Sequence, residues 1–121
     1  MKIAIVGSRN IQDYQLIQTQ IIEFVSQRGL DMKDVEIVSG GAKGVDALAK
    51  KFAQENGCKY KEFPAEWGKY GKSAGYKRNE LIWEYADCDI AFWDGASKGT
   101  QHSFKFADKY KKHIKIICVE Q

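Results

Sequence analysis

A single proline in 121 residues leaves little room for disordered linkers or long irregular tails. Long hydrophobic runs are absent: the longest apolar stretches, such as Ile3-Ala4-Ile5-Val6, are far too short to cross a bilayer. Met1-Lys2-Ile3 leads straight into a strand-like run with no signal-peptide segment, so a cytoplasmic location and no membrane partner are expected. Cysteine is scarce. Cys58, Cys88 and Cys118 are odd in number and widely spaced beside apolar runs, which argues for reduced, buried thiols and against a disulfide framework or a zinc site. Neither a metal nor a cofactor is expected. Strong charge of one sign is also lacking, since a formal +3 favours an anionic partner without forming the basic stripe of a dedicated duplex-DNA binder. What remains is the balance of an ordinary globular protein, 44% hydrophobic and 29% charged, in a length that fits one domain over residues 1–121.

Four β-branched-rich runs read as strands, Lys2 to Val6, Val35 to Val38, Asp89 to Trp93 and Ile114 to Val119, with a weaker fifth at Lys59 to Phe63. Between them the apolar spacing becomes helical. Tyr14, Ile17, Ile21, Phe24, Val25 and Arg28 share one face, as do Val45, Leu48, Ala49, Phe52 and Ala53. Asp13 is placed to cap the first helix, Gly29 and Gly57 to end the first two, and further helices are expected at Tyr76 to Ala86 and Thr100 to Lys112. The basic cluster Lys109 to His113 reads as closing the last helix, where positive charge complements the dipole. Strict strand–helix alternation implies parallel strands joined by right-handed crossovers. The expected fold is therefore α/β, a three-layer Rossmann-like sandwich with a mainly parallel sheet of about five strands, and the near-continuous apolar strands agree with burial on both faces.

The unusual residues fall where such a sheet binds ligands. Gly7-Ser8-Arg9, the Ser39 to Asp46 segment (Ser-Gly-Gly-Ala-Lys-Gly-Val-Asp), Pro64-Ala65-Glu66-Trp67 and the Asp94 to Thr100 segment (Asp-Gly-Ala-Ser-Lys-Gly-Thr) each follow a strand. All emerge at the carboxyl edge, where helix N-termini offer free amides. Gly40, Gly41 and Gly44 let the backbone approach a phosphate; alternatively they serve only a tight turn. Neither the dinucleotide fingerprint nor the P-loop pattern is matched. Gly95, Ser97, Lys98 and Gly99 repeat the design, with Thr100 as the expected N-cap and Asp94 able to accept from ribose hydroxyls or simply to form an Asp-Gly turn. Both loops are expected to aim amides into one anion pocket. Phe63 to Gly75 reads as a covering loop whose Trp67 and Tyr70 stack on a base and whose Lys69 and Lys72 meet phosphate, or which merely packs on the domain. Arg78 and Asn79 open the next helix, where an arginine makes paired phosphate contacts. His102 lies in the first turn of the last helix, a candidate for catalysis that would need an orienting partner. Ser8, Ser39 and Ser97 read as hydrogen-bond partners, since no nucleophile elbow accompanies them.

Taken in order, Gly7-Ser8-Arg9, the Ser39 to Asp46 loop, Phe63 to Trp67, Ala74 to Asn79 and Trp93 to Thr100 resemble the YspA-type, YpsA-related branch of the SLOG superfamily. That superfamily also includes the Lonely Guy phosphoribohydrolases and the DNA-processing protein DprA. The resemblance implies a Rossmannoid fold that binds nucleotides or nucleotide-derived ligands, with Gly40, Gly41 and Gly44 as a first phosphate loop, Gly95, Gly99 and Thr100 as a second, and Arg78 facing the ligand. One departure separates the chain from the phosphoribohydrolases: Ser103 occupies the position of their motif glutamate, and a serine cannot steady an oxocarbenium ion or exchange protons as a carboxylate does. Hydrolysis would then need Asp94, Glu66 or His102 as substitute.

The leading expectation is a nucleotide-binding protein, a sensor or processor of a nucleotide-derived signal, with Gly7, Ser8, Arg9, Ser39, Lys43, Asp46, Trp67, Arg78, Asn79 and the two glycine loops around the ligand. The alternatives are an N-glycosidic hydrolase and a module for single-stranded nucleic acid in which Lys43, Lys69, Lys72, Lys77 and Lys98 track phosphates. Exposed loops and small size are in keeping with a homo-oligomer.

Overall fold

The computed structural model describes residues 1–119. Five strands, β1 (Lys2–Gly7), β2 (Glu36–Ser39), β3 (Lys59–Glu62), β4 (Cys88–Trp93) and β5 (His113–Cys118), form one sheet in the order β3-β2-β1-β4-β5, every neighbouring pair parallel. Helices α1 (Tyr14–Gln27) and α2 (Val45–Asn56) cover one face, α4 (Ala74–Tyr85) and α5 (Lys98–Lys109) the other, and α3 is the single turn Trp67–Tyr70. The α/β three-layer sandwich is thus as the alternation requires.

Central β1 is buried from Ile3 to Val6, and its side chains divide by parity. Ile3 and Ile5 pack with Ile37, Ile90 and Phe92 under Ile17, Ile21 and Phe24 of α1 and Phe52 of α2, while Ala4 and Val6 pack with Val38 and Ala91 under Ile82 of α4. Asp13 caps α1, its carboxylate accepting from the Leu16 amide at 3.1 Å. Asp89 lies in the α4/α5 face of β4, fully buried, with no hydrogen-bond partner for either carboxylate oxygen. Burial, aided by the Asp46 charge, drives its pKa well above the ordinary carboxylate value, so the fold favours its protonated form.

Four local expectations are corrected. The covering loop contains α3, a 3-10 turn at Gly71–Ser73 and the start of α4, because four- and three-residue turns are too short to display a period. Helix α5 begins at Lys98 with Ser97, not Thr100, at the cap position, and Thr100 is buried in its first turn. The helix also ends at Lys109, and Lys112 donates instead to the carbonyls of Trp83 and Glu84. Its charge therefore complements the C-terminus of α4. Among the cysteines Cys58 is half-buried and Cys88 buried, but Cys118 is exposed at the end of edge strand β5. All three are free thiols.

Candidate functional site

The chain leaves β1 for β2 and β3 on one side and returns to β4 on the other, so the loops after β1 and β4 part and leave a crevice at the carboxyl edge. Its cavity holds about 470 Å³. Gly7 ends β1 in close contact with its neighbours: a Cβ there would lie 2.5 Å from the Phe92 carbonyl oxygen and 2.6 Å from Val45 Cγ2. Buried Ser8 joins the two parted loops, its amide donating to the Phe92 carbonyl at 3.1 Å and its hydroxyl accepting from the Asp94 amide at 3.2 Å.

Two aspartates fold back on the loops that carry them. Asp94 accepts from the amides of Ala96 at 2.9 Å and Ser97 at 2.7 Å, and these bonds hold its pKa below the ordinary carboxylate value. Buried Asp46 accepts from the Ala42 amide at 3.2 Å. Burial pushes the Asp46 pKa up, opposed by Arg78, by the Ala42 and Gly40 amides and by Arg9. The Arg78 guanidinium donates to the Gly40 carbonyl at 2.7 Å and to Asn79 Oδ1 at 3.1 Å, and burial lowers its pKa without removing its charge.

The expected anion pocket with amides from both glycine loops is therefore corrected. The Ala42, Ala96 and Ser97 amides are taken by the protein's own carboxylates, and Arg78 fills the space a Cβ on Gly40 would need. The start of α5 differs. Ser97 makes no side-chain capping bond to it, so the Lys98, Gly99 and Thr100 amides keep the free donors of a first helical turn.

Of the residues singled out in the sequence, Gly7, Ser8, Arg9, Asp46, Trp67 and Arg78 line the crevice, with Asn79, Asp94, Ser97, Gly99 and Thr100. Gly40, Gly41 and Lys43 line an adjoining cavity of about 490 Å³ that shares Arg9, Ala42, Trp67 and Arg78 as its wall. Gly44 packs against the Arg9 backbone, and Ser39 is buried in a 2.7 Å hydrogen bond with the Tyr60 hydroxyl. Gly95 and Lys98 are exposed outside the crevice lining. Among the three candidate catalytic residues Asp94 lines it, whereas Glu66 is exposed beside Lys69 at 4.0 Å and His102 faces a separate groove between α4 and α5.

Sequence reasoning did not single out Asn10 or Tyr76 as site residues, yet both line it, as do Ala42 of the first glycine loop and Ser103. Asn10 directly follows Gly7-Ser8-Arg9 and Tyr76 lies inside the Ala74 to Asn79 motif, so adjacency was the available signal. Buried Ser103 occupies the position where the phosphoribohydrolases carry glutamate, and three cations, Arg9, Lys72 and Arg78, line the crevice against two amide-bonded carboxylates.

The sequence model of the "YspA, cpYpsA-related SLOG family" matches residues 1–70. The chain belongs to this SLOG family. The Gene 61 protein of Mycobacterium phage D29 is 37% identical to it over 81 residues, 60% of this chain and 63% of the phage protein. Two solved structures of DNA processing protein A share the SLOG chain's fold. The Helicobacter pylori protein, studied for its single-stranded DNA binding mode, superposes with TM-score 0.62 at 24% identity, covering 96% of this chain and 64% of its own. The Streptococcus pneumoniae protein gives TM-score 0.68 at 20% identity, covering 98% and 50%. The SLOG chain thus spans less than two thirds of each of these relatives. No helix among its described residues is long and apolar enough to cross a membrane.

Proposed function

We propose that the crevice between β1 and β4 binds a nucleotide or nucleotide-derived ligand, its phosphate at the start of α5 and its base against the aromatic rim. The carrying observation is that the uncapped first turn of α5 opens on a 470 Å³ cavity that Arg9, Lys72 and Arg78 also line. Amides at a helix start together with guanidinium and ammonium groups match a phosphate. Trp67 and Tyr76, 53% and 47% exposed on the rim, offer π faces to a base. Membership of the SLOG family supports this reading, as does the fold shared with a protein described as binding single-stranded DNA.

A purely hydrolytic role is less well supported. Asp94 stays ionised and can steady positive charge on a sugar, but it has no proton to give near neutrality.

A thermal-shift panel of nucleoside monophosphates, the matching nucleosides and inorganic phosphate tests the reading. A nucleotide at 100 times its Kd stabilises the fold by about 2.7 kcal/mol. The shift should shrink in Arg9→Ala and Lys72→Ala, both at exposed positions. Nucleosides shifting the melting point as far as their phosphates, or no probe shifting it at all, would refute the proposal.

A further inference from the structure

We infer that the crevice continues into a second nucleotide subsite in the groove between α4 and α5, so that the ligand is a nucleotide chain of at least two units. The inference rests on the crevice reading above. The groove encloses about 480 Å³, close to the 470 Å³ of the crevice, and both lie in the range of pockets that hold small ligands. Tyr76 lines both cavities and is their common wall. Its ring is braced against His102 with centroids 4.1 Å apart, and His102 in turn meets Phe106 edge-on at 5.2 Å. Burial, with the Lys105 charge, holds the His102 pKa below its ordinary value.

Around this recess stand three ammonium groups. Lys77 lines it, and Lys105 and Lys109 lie 5.4 and 5.9 Å from the Phe106 ring centroid. One carboxylate, Glu80, lines the groove, and it is engaged by Lys109 and by the Tyr110 hydroxyl at 2.6 Å. Positive charge remains in excess. Two helices packing for stability alone would cover their aromatic contact, whereas here Tyr76 stays 47% exposed at the mouth of a cationic recess. Rings flanked by lysines, one wall away from a proposed phosphate site, are the chemistry that takes the next base and its linking phosphate.

Isothermal titration of the full chain with deoxyadenosine and thymidine 5′-monophosphates, and with the 5′-phosphorylated dinucleotide of each, tests this. The expected result is at least about fivefold tighter binding of a dinucleotide than of its monomer, the low end of what one stacked base contributes. The Lys77→Ala/Lys105→Ala double variant, altered at two exposed positions outside the crevice lining, should lose that gain and keep the monomer Kd within about twofold. Equal affinity for monomer and dinucleotide in the native chain, or equal weakening of both in the variant, would overturn the second subsite while leaving the crevice. Failure of every probe to bind would remove both.

Discussion

Replacing Gly44 by alanine tests whether the β1 loop is held to the start of α2 by direct backbone contact. Gly44 has φ 72° and ψ −126°, and a Cβ built on it would lie 2.4 Å from the carbonyl oxygen of Arg9. Backbone strain for an L residue in such a conformation costs about 2 kcal/mol. The obstructing atom is backbone, which cannot rotate aside, so the Arg9 loop must shift at a further cost of about 1–2 kcal/mol, typical of inserting a group into packed surroundings. Restricting the unfolded chain returns roughly 0.5 kcal/mol, leaving a loss of about 3 kcal/mol. Gly57 is the control. It caps α2 in the left-handed region at φ 70°, ψ 21°, with nothing within 4 Å of the added Cβ, so Gly57→Ala should lose only about 1 kcal/mol. At roughly 4 °C per kcal/mol for a chain of this size, the two melting points should fall by about 12 and 4 °C. Urea unfolding followed by far-ultraviolet circular dichroism measures both free energies. Equal losses would refute the contact, and the β1 loop would then owe its position to something else.

Asp89→Asn should flatten the pH dependence of stability, read as the difference in urea midpoints between pH 4 and pH 8. The native carboxyl holds its proton to a higher pH than the unfolded one, which ionises near its ordinary value of about 3.9. Native stability is therefore full below that value and is lost as pH rises toward the raised folded pKa. The amide variant should gain on the native chain at pH 8 and not at pH 4, and an identical difference at both would show that Asp89 is ionised in the fold. Arg78→Ala removes a charge-assisted bond to the Gly40 carbonyl and should cost about 1.5–3 kcal/mol. The cost should fall in an Asp46→Asn background, because Arg78 also opposes the burial of that carboxylate; additive losses in the double-mutant cycle would rule out coupling between the two.

The fold was legible because its signals are local and repeated. The Ile3 to Val6 run is apolar at every position, the α1 face recurs at helical spacing, and the alternation of the two leaves parallel crossovers as the consistent topology. Strand boundaries were read to within one residue at all five strands. Where the signal was shorter than one period it failed, as at α3, or fell on the wrong residue of a polar pair, as when Ser97 rather than Thr100 took the cap.

The site was legible only in outline. That glycine-bearing loops gather at the carboxyl edge follows from each one succeeding a strand, and the sequence by itself determined as much. Which of them share a cavity depends on strand order: β1 beside β4 brings Gly7, Ser8, Arg9 and Asp94 together and leaves Gly41 and Lys43 in the neighbouring cavity. Side-chain direction is likewise set by packing between elements distant in sequence. Helix α5 seated against α4 turns Ser103 toward the crevice and His102 toward the outer groove, one residue apart on the same helix. Asp46 and Asp94 fold back to claim amides that appeared free for a ligand. Periodicity names the face of an element, but the partner that face meets is decided only when the sheet is assembled.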